Sequence, residues 1–161
     1  MMSNAVTTTD ELRELYRELI LDHARSPRHF GKPDDITHSA DGINPLCGDK
    51  LHLYLRVKND GKIDDVAFEG SGCAISMASA SLLTESVSGM ATDDALAYSA
   101  AVTARLSGSA ASCAHQDDFE LGKLRALEGV REFPSRVKCA TLAWHALRAA
   151  LDAKSRSIST E

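Results

Sequence analysis

The sequence predicts an α+β domain in which a small antiparallel β-sheet of about three strands packs against a bundle of about five helices. Three observations carry this expectation. Leu51, Leu53, Leu55 and Val57 alternate with His52, Tyr54 and Arg56, the period of a strand with one buried and one wet face. Asn59-Asp60-Gly61 marks a hairpin turn, after which Ile63 to Glu69 returns as a partner strand with Val66 and Phe68 on its inner face. From Cys73 onward the apolar residues switch to helical spacing.

The elements follow in order. Residues 1–7 offer a frayed start, and Thr8-Thr9-Asp10-Glu11 fits a capping box. Leu12, Leu15, Tyr16, Leu19 and Ile20 continue as a helix, which stops by Ser26 because Pro27 disfavours helical geometry in the residue before it. Arg28 to Asp35, with Gly31 and Pro33, reads as loop, and Ile36 to Gly42 as a weakly patterned first strand. Ala74 to Ser88 is an Ala- and Ser-rich helix with Ile75, Ala78 and Leu82 on one face, ended by Gly89. Thr92 caps a third helix through Tyr98, Val102 and Leu106. Ser107 to Gln116 reads as loop. Asp118 to Glu128 reads as a short helix through Leu121, Leu124 and Leu127, closed by Gly129. Pro134 suits the first position of the last helix, whose Val137, Thr141, Trp144, Leu147 and Leu151 form a core-facing stripe. No linker or repeat divides the chain, so 1–154 is expected to be one domain. The stretch 155–161 has nothing to bury and is expected to be disordered.

Composition narrows the function. A formal charge of −5 and no basic stripe argue against nucleic-acid binding. No apolar run approaches the roughly 18 residues needed to span a bilayer. Met1 to Asp10 is polar and lacks the apolar core of a signal peptide, so the expected compartment is the cytoplasm. Four cysteines in a reducing compartment read as metal ligands or reactive thiols rather than disulfides.

Three of those cysteines stand in distinctive stretches. Asn44-Pro45-Leu46-Cys47-Gly48-Asp49 puts a thiol and a carboxylate two residues apart on a Pro/Gly-bounded loop, where one metal can take both. Gly70-Ser71-Gly72-Cys73 brings a second thiol to a predicted helix N-terminus, whose N–H groups and dipole favour a thiolate. Arg136-Val137-Lys138-Cys139 places a third about one turn into the last helix. Three thiolates, one carboxylate and Zn²⁺ sum to a net double negative charge, so at least one of Arg136 and Lys138 is expected to face the site. The competing reading makes Cys73 and Cys139 buried small hydrophobes. Cys113, beside His115, is read as an incidental thiol. The histidines at 23, 29, 38, 52 and 145 lie beside no motif cysteine.

These three motifs, in this order, resemble the iron–sulfur cluster assembly proteins of the IscU/NifU N-terminal superfamily, and within it the SufU branch. The resemblance runs from Leu15-Tyr16 through Phe133-Pro134 to Trp144. In the IscU type a histidine precedes the third cysteine, whereas Lys138 stands there in this chain. The SufU type carries an insertion before that motif, which residues 107–128 resemble. The resemblance implies an IscU/NifU-like fold and a Zn²⁺ site made by Cys47, Asp49, Cys73 and Cys139. It implies that the chain accepts persulfide sulfur from a SufS-type cysteine desulfurase and works with downstream Suf assembly proteins. In the family a desulfurase histidine takes the vacated zinc position. Cys47, on a loop beside a glycine, is the expected acceptor. Asp49 would stay on the metal, and Arg136 would stabilise the loop or the anionic sulfur. The alternative is a scaffold that holds iron or a nascent iron–sulfur cluster at the same ligands. A zinc-stabilised interaction domain without chemistry would leave Cys47 inert. A cysteine hydrolase would need a histidine beside one thiol.

Overall fold

Strands β1 (His38–Asn44), β2 (Asp49–Val57) and β3 (Ile63–Ser71) form an antiparallel meander with β2 between the other two. The structure is a computed structural model that describes residues 9–45, 47–107, 122–152 and 157–159. The alternation read in β2 puts Leu51, Leu53 and Leu55 in the core, while His52 and Arg56 stay partly exposed. Tyr54 departs from it. Its ring stacks on His52, and its hydroxyl donates to Glu69 Oε1 at 2.6 Å. Burial, and then the Glu69 carboxylate, push the phenol pKa up to about 12. The hairpin between β2 and β3 turns at Gly61 (φ +85°), where Lys62 N–H donates to Asp60 Oδ1 at 3.0 Å.

A fourth strand extends the sheet. β4 (Ser157–Ser159) pairs parallel to β1, giving the order β3-β2-β1-β4. Residues 157–159, part of the stretch 155–161 expected to be disordered, are thus placed in a strand, and the rest of that stretch lies outside the described residues. Strand addition is satisfied by backbone groups alone, so a stretch with no apolar pattern can still be placed.

Four α-helices occur among the described residues, against the expected five. They are α1 (Thr9–Arg25), α2 (Ala74–Val87), α3 (Thr92–Ser107) and α4 (Pro134–Asp152). The expected short helix at Asp118–Glu128 is instead a 3₁₀ run, Gly122–Glu132. Leu124, Leu127 and Val130 are all buried and recur every three residues. That is the spacing of a helix with three residues per turn, whose i and i+3 side chains eclipse. Gly129 therefore lies inside the run rather than closing it. Leu121, Cys113 and His115 lie outside the described residues, as does the proposed cap at Thr8.

Helices α2 and α4 form the centre of the helical layer. Buried side chains surround α2 from Ser76 to Thr84, beyond the single face of Ile75, Ala78 and Leu82. Two of its serines, Ser79 and Ser81, tie it to its neighbours. Ser79 Oγ donates to Ala140 O at 2.5 Å and accepts from Trp144 Nε1 at 3.0 Å. Ser81 Oγ contacts buried His23 Nδ1 at 2.7 Å and accepts from Arg28 N–H at 2.8 Å. These bonds lock α1 and α4 against α2.

Candidate metal centre

The six-residue motif at 44–49 is the connection between β1 and β2. Asn44 pairs in register with Asp49, and Asn44 O accepts from Cys47 N–H at 3.2 Å. Gly48 adopts φ +73°, a left-handed conformation that glycine takes without strain. The turn lifts Cys47 to a half-exposed position, while Asp49 enters β2 and is buried. Cys73 is the N-cap of α2, and its sulfur accepts from Ser76 N–H at 3.4 Å. The capping role expected of serine or aspartate is thus filled by a thiol. Cys139 comes from α4 and is fully buried.

The donor atoms of Cys47, Asp49 and Cys139 lie within 4.8 Å of one another, a group that could hold a metal ion. The sulfurs of Cys139 and Cys47 are 3.2 Å apart. Cys73 stands outside that tightest group, yet its sulfur is 4.0 Å from Asp49 Oδ2. Tetrahedral zinc, with bonds of about 2.0–2.3 Å, spaces its ligand atoms roughly 3.3–3.8 Å apart. The two measured separations bracket that spacing. The other Asp49 oxygen, Oδ1, accepts from Cys73 N–H at 2.9 Å, so Oδ2 is the oxygen turned to the sulfurs.

The electrostatics favour a cation. Burial, followed by the hydrogen bonds with Cys47, Asp49 and Cys73, pushes the Cys139 thiol well above its ordinary range. Adjacent buried thiols and a carboxylate cannot all ionise without compensation. A divalent ion supplies it, so the donor set fits zinc, and a soft thiolate-rich set suits iron–sulfur chemistry as well. Arg136 is exposed, hydrogen-bonds Cys139 and lies in the field of Cys73 and Cys47, which together push its guanidinium pKa further up. Of the two cations expected to face the site, Arg136 therefore does so. A groove of about 690 Å³ opens beside Cys73 and Arg136, walled by Tyr16 and Ile20 of α1 and by Val130 and Phe133.

Two site residues carried no role in the sequence reading. A Cβ added to Gly72 would lie 2.5 Å from Asp49 Oδ1 and 3.1 Å from Asp49 Cα, so only glycine lets this carboxylate seat against the α2 N-terminus. A glycine directly before a motif cysteine was the available signal. Asn44 is fully buried, and its Nδ2 lies 3.5 Å from both Asp49 Oδ2 and Cys139 Sγ. No histidine joins the cysteine group among the described residues.

A short sheet, a serine-rich central helix and a pole where a hairpin loop, a helix cap and a late helix converge define an α+β domain with a thiol–carboxylate centre. The chain belongs to the NifU-like N-terminal domain family, whose profile matches residues 15–140. It is 41% identical to the zinc-dependent sulfurtransferase SufU of Bacillus subtilis (strain 168), over 84% of this chain and 88% of that one. It is 38% identical to the iron–sulfur cluster assembly scaffold protein IscU of Streptococcus pyogenes serotype M1, over 88% and 85%. Among solved structures, a candidate iron–sulfur cluster assembly scaffold for the SUF system from the thermophile Fervidobacterium islandicum AW-1 superposes with a TM-score of 0.76. That match is at 33% identity and covers 86% of this chain and 98% of that one.

Proposed function

We propose that this chain is a zinc-dependent sulfur acceptor in iron–sulfur cluster biogenesis, taking persulfide sulfur from a SufS-type cysteine desulfurase onto Cys47. The observation that carries the reading is how differently the four donors are tethered. Cys139 and Asp49 are buried, and Cys73 is pinned as the cap of α2. Cys47 and Cys73 are both partly exposed, and of the two only Cys47 rides a loop. Its relative with the SufU name, 41% identical, is called a zinc-dependent sulfurtransferase.

Zinc, when bound by Cys47, Asp49, Cys73 and Cys139, would keep the thiols deprotonated at neutral pH. The remaining work falls to the chain. The Cys47 thiolate attacks the outer sulfur of the desulfurase persulfide. A new S–S bond forms at Cys47 as the desulfurase S–S bond breaks, and the desulfurase cysteine leaves as a thiolate. The exchange needs no external oxidant or reductant. Arg136, beside Cys139 at the exposed rim, stabilises the anionic sulfur. Asp49, anchored through Oδ1, keeps its place.

A scaffold function at the same ligands is the second reading, favoured by the 38% identity to an IscU scaffold protein. Lys138, where the IscU type carries a histidine, weighs against it, because a lysine ammonium has no lone pair to offer a metal. Metal analysis and desulfurase turnover separate the two. Stoichiometric zinc, strong stimulation of a SufS-type desulfurase by the wild-type chain and loss of that stimulation in Cys47→Ala support sulfur acceptance. Full stimulation by Cys47→Ala contradicts it. A coloured protein that loads iron and sulfide supports the scaffold.

A further inference from the structure

Asn44 is the last residue of β1 and is fully buried at the edge of the site. Its backbone already closes the loop by accepting from Cys47 N–H. Its side chain turns to the two most buried members of the donor set, with Nδ2 at 3.5 Å from Asp49 Oδ2 and at 3.5 Å from Cys139 Sγ. The carbonyl Oδ1 has no hydrogen-bond partner among the described residues. Turning the amide over would set that oxygen against a carboxylate oxygen and a sulfur, so the neighbours dictate which end faces them. A buried carbonyl without a donor is a cost to the fold that an apolar residue of similar shape would avoid. What the asparagine supplies in return is a pair of N–H groups aimed at two donor atoms.

We propose that Asn44 is a positioning residue of the metal centre, its carboxamide bridging Asp49 Oδ2 and Cys139 Sγ so that a ligand from β2 and one from α4 are held together. The inference rests on the reading of Cys47, Asp49, Cys73 and Cys139 as one metal site. Asp49 Oδ1 is taken by Cys73 N–H, which leaves Oδ2 for the ion, and that is the oxygen Asn44 touches. Cys139 arrives from an element 95 residues away in the chain, and Asn44 ties it directly to the β1–β2 hairpin. Arg136 supports the same sulfur from the exposed rim, and Asn44 does so from the buried side. Partners of this kind orient ligands and tune the charge they present.

The test compares the wild type with Asn44→Ala and with Asn44→Leu, which keeps similar volume without a donor. Zinc affinity, measured by competition with a chromogenic chelator, is expected to fall about 10–100-fold in both variants. The thiolate-to-metal charge-transfer band of the cobalt-loaded protein is expected to shift, because a hydrogen bond to a ligating sulfur has been removed. Folded variants with wild-type affinity and an unmoved band overturn the proposal. If neither variant folds, NMR of the wild type loaded with a spin-active cadmium isotope decides. Scalar coupling between an Asn44 side-chain amide proton and cadmium, carried through Cys139 sulfur, is expected, and its absence overturns the proposal. A wild-type chain that takes up no zinc overturns the metal-site reading along with it. Tight wild-type binding with unaffected variants overturns only the role of Asn44.

Discussion

Asp49 does two jobs with two oxygens. Oδ1 docks on Cys73 N–H at the start of α2, and Oδ2 faces the sulfurs. Gly72 makes the docking possible, since any Cβ there would collide with the carboxylate and its backbone. Gly72→Ala is therefore expected to weaken zinc binding by about 10–100-fold, read by chelator competition, while circular dichroism stays close to wild type. Cys139 gives a second prediction at this scale. Burial and its polar neighbours raise its thiol pKa in the folded, metal-free chain. The folded state then holds a proton that the unfolded chain releases above about pH 8.5. Stability from this group is complete below that pH and is lost as pH rises through the folded pKa. The urea midpoint of the metal-free protein is expected to fall between about pH 7 and about pH 9.5, and zinc is expected to suppress the fall because it removes that proton at neutral pH. A metal-free midpoint that rises over this interval contradicts the assignment.

At the scale of elements, the helices owe their packing to small polar residues as much as to apolar stripes. Ser79 is the joint between α2 and α4, donating to one backbone carbonyl and accepting the indole N–H of fully buried Trp144. Ser79→Ala leaves that indole N–H without its acceptor and is expected to cost about 1–3 kcal/mol in urea unfolding, with zinc affinity unchanged. A loss below the error of the measurement would show that the contact carries no weight. The same bonds explain what the sequence hid. Leu51, Leu53 and Leu55 announce β2 because their hydropathy alternates, and Pro134 announces α4 because it fits the first helical turn. The all-round burial of α2 carries no such signal, since a buried serine looks like an exposed one until its partner is known. The 3₁₀ run hides because a spacing of three in Leu121, Leu124 and Leu127 also suits one face of an α-helix. β4 was invisible, because strand pairing through backbone groups needs no side-chain pattern.

For the whole molecule, the fold brings distant stretches of the chain to one pole. The sulfurs of Cys47 and Cys139 meet across 92 residues of sequence. A metal held there would cross-link the β1–β2 hairpin, the start of α2 and the start of α4, so that binding and folding stability become linked. The residues with reactive chemistry were legible because thiols and carboxylates beside glycines stand out, and because their three motifs resemble a known superfamily. Asn44 and Gly72 were not legible, because their roles exist only in relation to Asp49 and Cys139. The central claim, that Cys47 is the point where sulfur enters, is tested most directly by persulfide mapping. The zinc-loaded chain is incubated with a SufS-type desulfurase and cysteine, its thiols are alkylated, and peptides are examined by mass spectrometry. One added sulfur on the peptide carrying Cys47, absent in Cys47→Ala, is the expected result. Added sulfur on Cys73 or Cys139 with Cys47 unmodified would contradict the account.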